Sequence, residues 1–324
     1  MKTWCGALIL LACLAGIAVA QTSSFPDRPI TLIVTSAPGG VTDVVGRALG
    51  DELGKAWGQP VVVENKAGAA HIIGAATVAK AAPDGHTLLV GESGTFTVNP
   101  TLYPKDKLPF DTEKDFVPIT GLVRINQALL ARKALPVANT AELIALAGQK
   151  PGQLTYGTAG IGSALHMNME LFDSMTGVKL LAVHYRGAAP ALNDLIGGSI
   201  DVMTVSVASG LPAYQAGQIK MLGIGSDKRL PQMPDMPTVA ETVPGYTSVA
   251  WFGLFGPASM PPDIVMKIDT ETRRIFSDPA FRARFLDPQM FESMAGPPDA
   301  FAAYIKAERD KWAKVIREAG IKLE

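Results

Sequence analysis

Thiols are scarce in this chain. Of its 324 residues only Cys5 and Cys13 are cysteines, and both fall within the first twenty positions. Beyond residue 20 no disulfide, thiolate nucleophile or C-x-x-C centre can form, so ordinary core burial has to hold the fold. An excess of one charge is missing too. Lysine and arginine total 29 against 30 aspartates and glutamates, for a net charge of −1, which leaves no basic surplus to bind nucleic acid or an anionic membrane surface. Outside Ala7 to Val19, no apolar run approaches the ~20 residues that cross a bilayer. The four histidines, His71, His86, His166 and His184, are scattered, so neither a metal site nor a cofactor is expected. No GxSxG elbow, HExxH helix, internal repeat, low-complexity tract or long charge run is found, so no familiar enzyme centre is expected either.

The amino terminus carries what the rest lacks. Lys2 precedes the apolar run Ala7 to Val19, and Ala18-Val19-Ala20 is a small-x-small cleavage signal; residues 1–20 therefore read as a secretory signal cut after Ala20. Leu10-Leu11-Ala12-Cys13 offers the rival reading of a lipid-anchored cysteine at Cys13. About 300 residues follow the signal, enough for two packed domains of roughly 150 each. That chain is expected outside the cytoplasm, in the periplasm, as a soluble monomer.

Strand-like and helix-like stretches alternate from Ile30 onward: Ile30 to Val34, Val44 to Trp57, Val61 to Glu64, Gly74 to Ala82 and Thr87 to Val90. This pattern predicts an α/β fold with a mainly parallel sheet. Asp111 to Pro118 reads as an irregular connection, and Ile119 to Ala131 as one long extended stretch able to cross between lobes. A second series follows, with a helix at Thr140 to Gln149, a strand at Leu154 to Gly157 and a helix at Ala164 to Met175. Strand Ala182 to Tyr185, helix Ala188 to Gly197 and strand Val202 to Thr204 complete it. The proline-broken stretch Leu230 to Pro244 leads to an apolar return strand at Trp251 to Phe255, and an amphipathic helix spans Asp299 to Ala319. Two crossings imply a hinge. One lobe is assigned to residues 21–122 with 240–298 and the other to 123–239; the lobe that carries 299–324 stays open.

Leu32 to Asp43 (LIVTSAPGGVTD) and Leu154 to His166 (LTYGTAGIGSALH) share one design, an apolar strand, a glycine-rich turn and a helix start. A helix N-terminus combines unpaired N–H groups with the positive end of the peptide dipoles, so it attracts carboxylate or phosphate without a formal positive charge. Two such turns in different lobes suggest a cleft for an anionic small molecule. The spacing Gly157-x-x-Gly160-x-Gly162 is not the GxGxxG of a dinucleotide site, so a nicotinamide cofactor is not expected.

Many ordered residues carry a family resemblance. They include Phe25-Pro26, Ala37-Pro38-Gly39-Gly40 with Asp43 and Arg47, and Gly58 through Asn65 (GQPVVVEN). Ala79 through Gly85 (AKAAPDG), Pro151-Gly152, Gly162-Ser163, His166, Glu170-Leu171-Phe172 and Gly187 follow, then Pro237 through Glu241 (PTVAE), Pro244-Gly245 and Trp251. In these the chain resembles the substrate-binding receptors of tripartite tricarboxylate transporters, the Bug receptors. The resemblance implies a two-lobed type II periplasmic binding protein that is not an enzyme. It implies closure on a small carboxylate ligand, with membrane transporter subunits as partner. A sensor kinase is the alternative partner, and a secreted enzyme on the same fold the alternative function.

The resemblance places the ligand carboxylate between the turn Ala37 to Asp43 and the turn Thr158 to Ser163. The candidate ligand-binding residues are therefore Ser36, Ala37, Gly39, Gly40, Thr42 and Asp43 in the first lobe, and Thr158, Ala159, Gly160, Ser163 and His166 in the second. Ser36 and Ser163 offer hydroxyls. Thr42 or Asp43 can cap the following helix, and Arg47 is placed to pair with Asp43 one turn away. His166 either bonds the loop backbone or reaches the ligand. Ser93 and Thr95, after the strand ending at Val90, are candidate wall residues, with Arg186 and Ser206 at later strand ends. His71 and His184 stand where the family has glycine and proline, so they are read either as specificity residues or as plain surface histidines.

Overall fold

A 17-residue strand, Phe116–Arg132, runs through the middle of the computed structural model and pairs in two sheets. The structure describes residues 25–68 and 71–322. The expected signal over residues 1–20, with Cys13, lies outside them. Before the long strand come β1 (Ile30–Val34), α1 (Val41–Trp57), β2 (Val61–Asn65), α2 (Ile72–Ala79), β3 (Thr87–Glu92), α3 (Ser93–Thr97) and α4 (Asn99–Leu102). The long strand is β4. After it come α5 (Thr140–Gln149), β5 (Thr155–Thr158), α6 (Ala164–Thr176), β6 (Leu181–His184), α7 (Ala188–Gly197), β7 (Val202–Ser206), α8 (Val207–Gln215) and β8 (Ile219–Ile224). The chain then forms β9 (Val249–Pro257), α9 (Pro262–Ser277), α10 (Pro279–Phe281), β10 (Phe291–Ser293) and α11 (Pro298–Ala319).

Local chemistry accounts for several of these boundaries. β3 is buried along its middle because helices cover both faces of the sheet, whereas β2, at the sheet edge, alternates between half-buried and exposed residues. Proline fits the first turn of α9 and of α11, where an N–H would have no partner. Gly58 and Gly320 end α1 and α11 at φ 64, a left-handed value that glycine adopts without strain.

The first sheet has the order β2-β1-β3-β9-β4, with β10 on the far side of β4. The second is β6-β5-β7-β4, with β8 on the other edge of β4. Among the described strands, β1 pairs in parallel with β2 and β3, and β5 with β6 and β7. Strands β4, β9 and β10 and the β4 pairings of β7 and β8 are antiparallel. The mainly parallel sheet expected from the alternation is therefore corrected to a mixed one. The return strand β9 inserts between β3 and β4, a pairing no local pattern encodes. Two further features are local. Residues 93–97, where Ser93 and Thr95 are candidate wall residues, form α3 because the Glu92 carboxylate accepts the Gly94 N–H and caps it, and Phe116 to Pro118, expected to be irregular, already belong to β4.

The two sheets make two lobes, each with a core on both faces. Leu32, Leu49, Val123 and Phe276 fill one side of the first, and Ile33, Leu89, Phe96 and Phe255 the other. In the second, Leu129, Tyr156 and Phe172 pack opposite Leu130, Leu195 and Met203. Helix α11 joins both: Phe301 and Ile305 enter the first lobe, while Trp312, Val315 and Ile316 enter the second. The lobes connect where β4 passes Asn126 and Gln127. There Gln127 N–H donates to the Ser248 carbonyl (3.2 Å), and Gly225 N–H to the Gln127 carbonyl (2.7 Å). A Cβ at Gly225 would lie 2.5 Å from the Ser248 carbonyl oxygen, so the close approach of these strands requires glycine. Among the described residues, no helix is long and apolar enough to cross a membrane.

Candidate functional site

Both glycine-rich turns end at a helix start and are braced in the same way. In the first, Ser36 Oγ accepts the Asp43 N–H (3.3 Å) and the Thr42 hydroxyl (2.7 Å). The Asp43 carboxylate reaches back to accept the Gly39 N–H (2.9 Å), and also takes the Asn65 amide (2.8 Å) and Arg47 (2.8 Å). In the second, Ser163 Oγ accepts the His166 N–H (3.3 Å), while His166 Nδ1 accepts the Gly162 N–H (3.1 Å). The side chain three residues past each N-cap thus pins its own turn.

This bracing revises the donor inventory expected of the turns. The amides of Gly39 and Gly162 are taken by Asp43 and His166, and that of Gly160 by Thr158 Oγ1 (3.1 Å). The N–H groups left without intrahelical acceptors are those of Val41 and Thr42 in α1, and of Ala164 and Leu165 in α6.

Electrostatics follow the bracing. Hydrogen bonding to Arg47 outweighs burial and holds the Asp43 carboxyl at about 2. Its stabilising contribution is complete above its ordinary value of 3.8 and is lost only as pH falls through about 2. Because His166 Nδ1 accepts, its proton sits on Nε2, 3.5 Å from Glu170 Oε1, the oxygen to which the Tyr156 hydroxyl also donates. Burial alone would raise Glu170, but these two donors hold it below the usual range.

Asp173, one turn further along α6, goes the other way. Burial pushes its carboxyl up to about 7, against a bond from the Leu180 N–H (2.8 Å), and its Oδ1 has no partner. A carboxyl raised on folding stabilises at low pH and loses that contribution as pH rises through about 7. Asp173→Asn is therefore expected to raise Tm over the unmodified chain more at about pH 8 than at about pH 5. A Tm difference independent of pH would show that the group is not strained.

The lobes enclose a cavity of about 380 Å³ beside the second turn. The second lobe contributes Ala159, Ile161, Gly162, Ser163, Ala164 and Leu165, and the first contributes His71, Glu92, Gly94, Asn99, Leu102 and Tyr103. A larger hollow of about 520 Å³, between Tyr103, Phe110, Glu113 and Arg309, has neither braced turn in its wall, so volume alone does not mark the site. Of the sequence candidates, Ala159, Ser163 and His71, the last read as a specificity residue, line the cavity. Thr158, fully buried, together with Gly160 and His166 forms the layer behind it.

Ser36, Ala37, Gly39, Gly40, Thr42 and Asp43 lie outside the lining. They connect to it through the end of β1, where Thr35 oxygens at 2.9 and 3.1 Å hold His71 Nδ1. Ser93 faces a small space of about 20 Å³ that adjoins the cavity, sharing Glu92, Gly94, Gly162 and Ala164 with its wall. Thr95 is buried with its hydroxyl unpaired. Arg186 is exposed on the loop after β6, and Ser206 caps α8 by accepting the Ser209 N–H (3.2 Å).

Sequence reasoning passed over Glu92, although an acid closing a strand at the sheet's C-terminal edge is a recognisable signal. In the structure, Glu92 Oε2 lies 2.8 Å from His71 Nε2, and the Glu92 carboxylate accepts the Gly94 N–H (3.3 Å). Burial would lower His71, but Glu92 raises it above its ordinary value; burial would raise Glu92, but His71 lowers it. Each group thus favours the charged form of the other across the 2.8 Å contact. His71 sits at φ 70, so this bond is made from a conformation that non-glycine residues seldom adopt.

Comparison with known proteins shows the family and the fold. The model of the tripartite tricarboxylate transporter family receptor matches residues 45–321. Protein BugT of Bordetella pertussis is 33% identical over 313 residues, 96% of this chain and 95% of that protein. Among solved structures, R. palustris Rpa4515 with adipate superposes with a TM-score of 0.79 at 34% identity, over 92% of this chain and 99% of that one. MatC (Rpa3494) from Rhodopseudomonas palustris with bound malate gives 0.74 at 34% identity, over 90% and 100%.

Proposed function

Because the chain belongs to the tripartite tricarboxylate transporter family of receptors, we propose that it is an extracytoplasmic solute receptor that closes its lobes on a small carboxylated metabolite. The loaded form then docks on the membrane subunits of a tripartite transporter. One observation carries the reading: the first turn of α6, with the N–H groups of Ala164 and Leu165 unclaimed by the helix, forms a wall of the inter-lobe cavity. Such a terminus holds a carboxylate by backbone donors and dipole together. The acids in Rpa4515 and MatC support the ligand class, and the signal read in residues 1–20 supports a periplasmic location. No step of catalysis is needed: a ligand touching both lobes favours the closed state by its differential affinity.

A thermal-shift panel of mono-, di- and tricarboxylates, acidic amino acids and aromatic acids tests this. At a ligand concentration of about 100 Kd, a binder adds roughly 2.7 kcal/mol, which raises Tm by about 5 °C or more in a protein of this size. At least one acid is expected to do so and to be recovered unchanged. If no acid shifts Tm, and none is released on denaturation, the carboxylate reading fails.

A further inference from the structure

We propose that the Glu92 and His71 pair sets ligand choice, so that the site takes a monocarboxylate whose far end carries a hydrogen-bond donor, an ammonium group above all, and disfavours a second carboxylate. The inference rests on the carboxylate-receptor reading above and narrows it.

The cavity has two unlike walls. On one side is the first turn of α6, with Ala164 and Leu165 at its positive end; on the other are Glu92 and His71. A molecule anchored by its carboxylate on α6 therefore extends toward an anion. An ionised carboxylate has about four acceptor sites and no donor. Two sites on Glu92 are used, one by His71 Nε2 and one by the Gly94 N–H. The remainder can serve only a donor.

His71 does not reverse this. Its Nε2 is committed to Glu92 at 2.8 Å and its Nδ1 to Thr35 at 2.9 and 3.1 Å, so both ring nitrogens are occupied. It balances the charge of Glu92 without presenting an N–H to a ligand. Among the described residues, neither lysine nor arginine lines the cavity. A second ligand carboxylate arriving beside Glu92 would meet like charge that the neutral donors of that wall, the Asn99 amide and the Tyr103 hydroxyl, do not cancel, whereas an ammonium or hydroxyl would complete the Glu92 coordination. In a partly enclosed site this distinction amounts to about tenfold or more in affinity.

Length-matched ligands isolate the effect. Butanoate, 4-aminobutanoate and succinate form one set, and hexanoate, 6-aminohexanoate and adipate the other; each differs only at the far end. Calorimetric titration of the full chain is expected to rank the amino acid above the diacid by about tenfold in whichever set fits. Glu92→Gln still accepts from Gly94, so it preserves the α3 cap while removing the charge, and it should collapse that ratio. His71→Asn, a residue that tolerates positive φ, strips Glu92 of its counter-charge and should widen the ratio. These opposite directions are not what general destabilisation by either change would produce. A diacid bound more tightly than its amino analogue, or a ratio unmoved by Glu92→Gln, overturns the inference and leaves the receptor reading intact. If neither set nor any acid of the wider panel binds, the receptor reading itself fails, and this inference with it.

Discussion

Ser163→Asp is expected to weaken carboxylate binding by roughly a hundredfold while leaving the fold in place. Serine and aspartate are comparable N-caps, so the bond from the His166 N–H, now 3.3 Å to Ser163 Oγ, has an acceptor in either case. What changes is the charge at the end of α6. An anion placed beside the free N–H groups of Ala164 and Leu165 competes for the dipole and repels a ligand carboxylate a few ångströms away, on the order of 3 kcal/mol at an effective dielectric near 20. Ser163→Asn supplies the same cap without the charge and should bind within a few-fold of the unmodified chain. Titration of both variants with one carboxylate identified by thermal shift decides the matter. An aspartate variant that binds normally would place the ligand away from α6.

The second large effect concerns α11. Phe301 is 4% exposed and packs edge-on against Trp251 with ring centroids 5.5 Å apart; Trp312, also 4% exposed, lies in the core of the other lobe. Removing either side chain leaves a cavity that its neighbours only partly fill, so Phe301→Ala and Trp312→Ala should each cost about 3–5 kcal/mol. At roughly 2–4 °C per kcal/mol, Tm would fall by about 10 °C in each case. A helix of 22 residues is about 33 Å long, and this one fastens both lobes. Each substitution should therefore lower one shared transition. Two separate transitions in calorimetry, one per variant, would mean that α11 does not couple the lobes.

Much of this was legible because it is local. Asp43 and Arg47 lie one helical turn apart, and the expected pair is present at 2.8 Å. Of the two readings of His166, the structure shows the bond to the loop backbone, again within four residues. The stop of the last helix after Ala319, at Gly320, follows from backbone chemistry that any single chain displays. The site itself was less legible. Ser36 and Ser163 were both read as ligand hydroxyls, and both accept an N–H from the helix behind them; only Ser163 also lines the cavity. His71 and Glu92 are far apart in sequence and meet because β1 and β3 pair in parallel, with Thr35 at the end of β1 holding the imidazole.

The sequence by itself determined where the longer strands and helices form, that two glycine-rich turns open onto helix N-termini, and which family the chain resembles. Periodicity, turn residues and caps act over a few residues, so one chain states them. Tertiary structure alone decided that β9 enters between β3 and β4, that α11 straps both lobes, and which wall of the cavity carries charge. Each of these depends on contacts between residues tens to hundreds of positions apart, and those contacts are chosen by the packing of the whole chain.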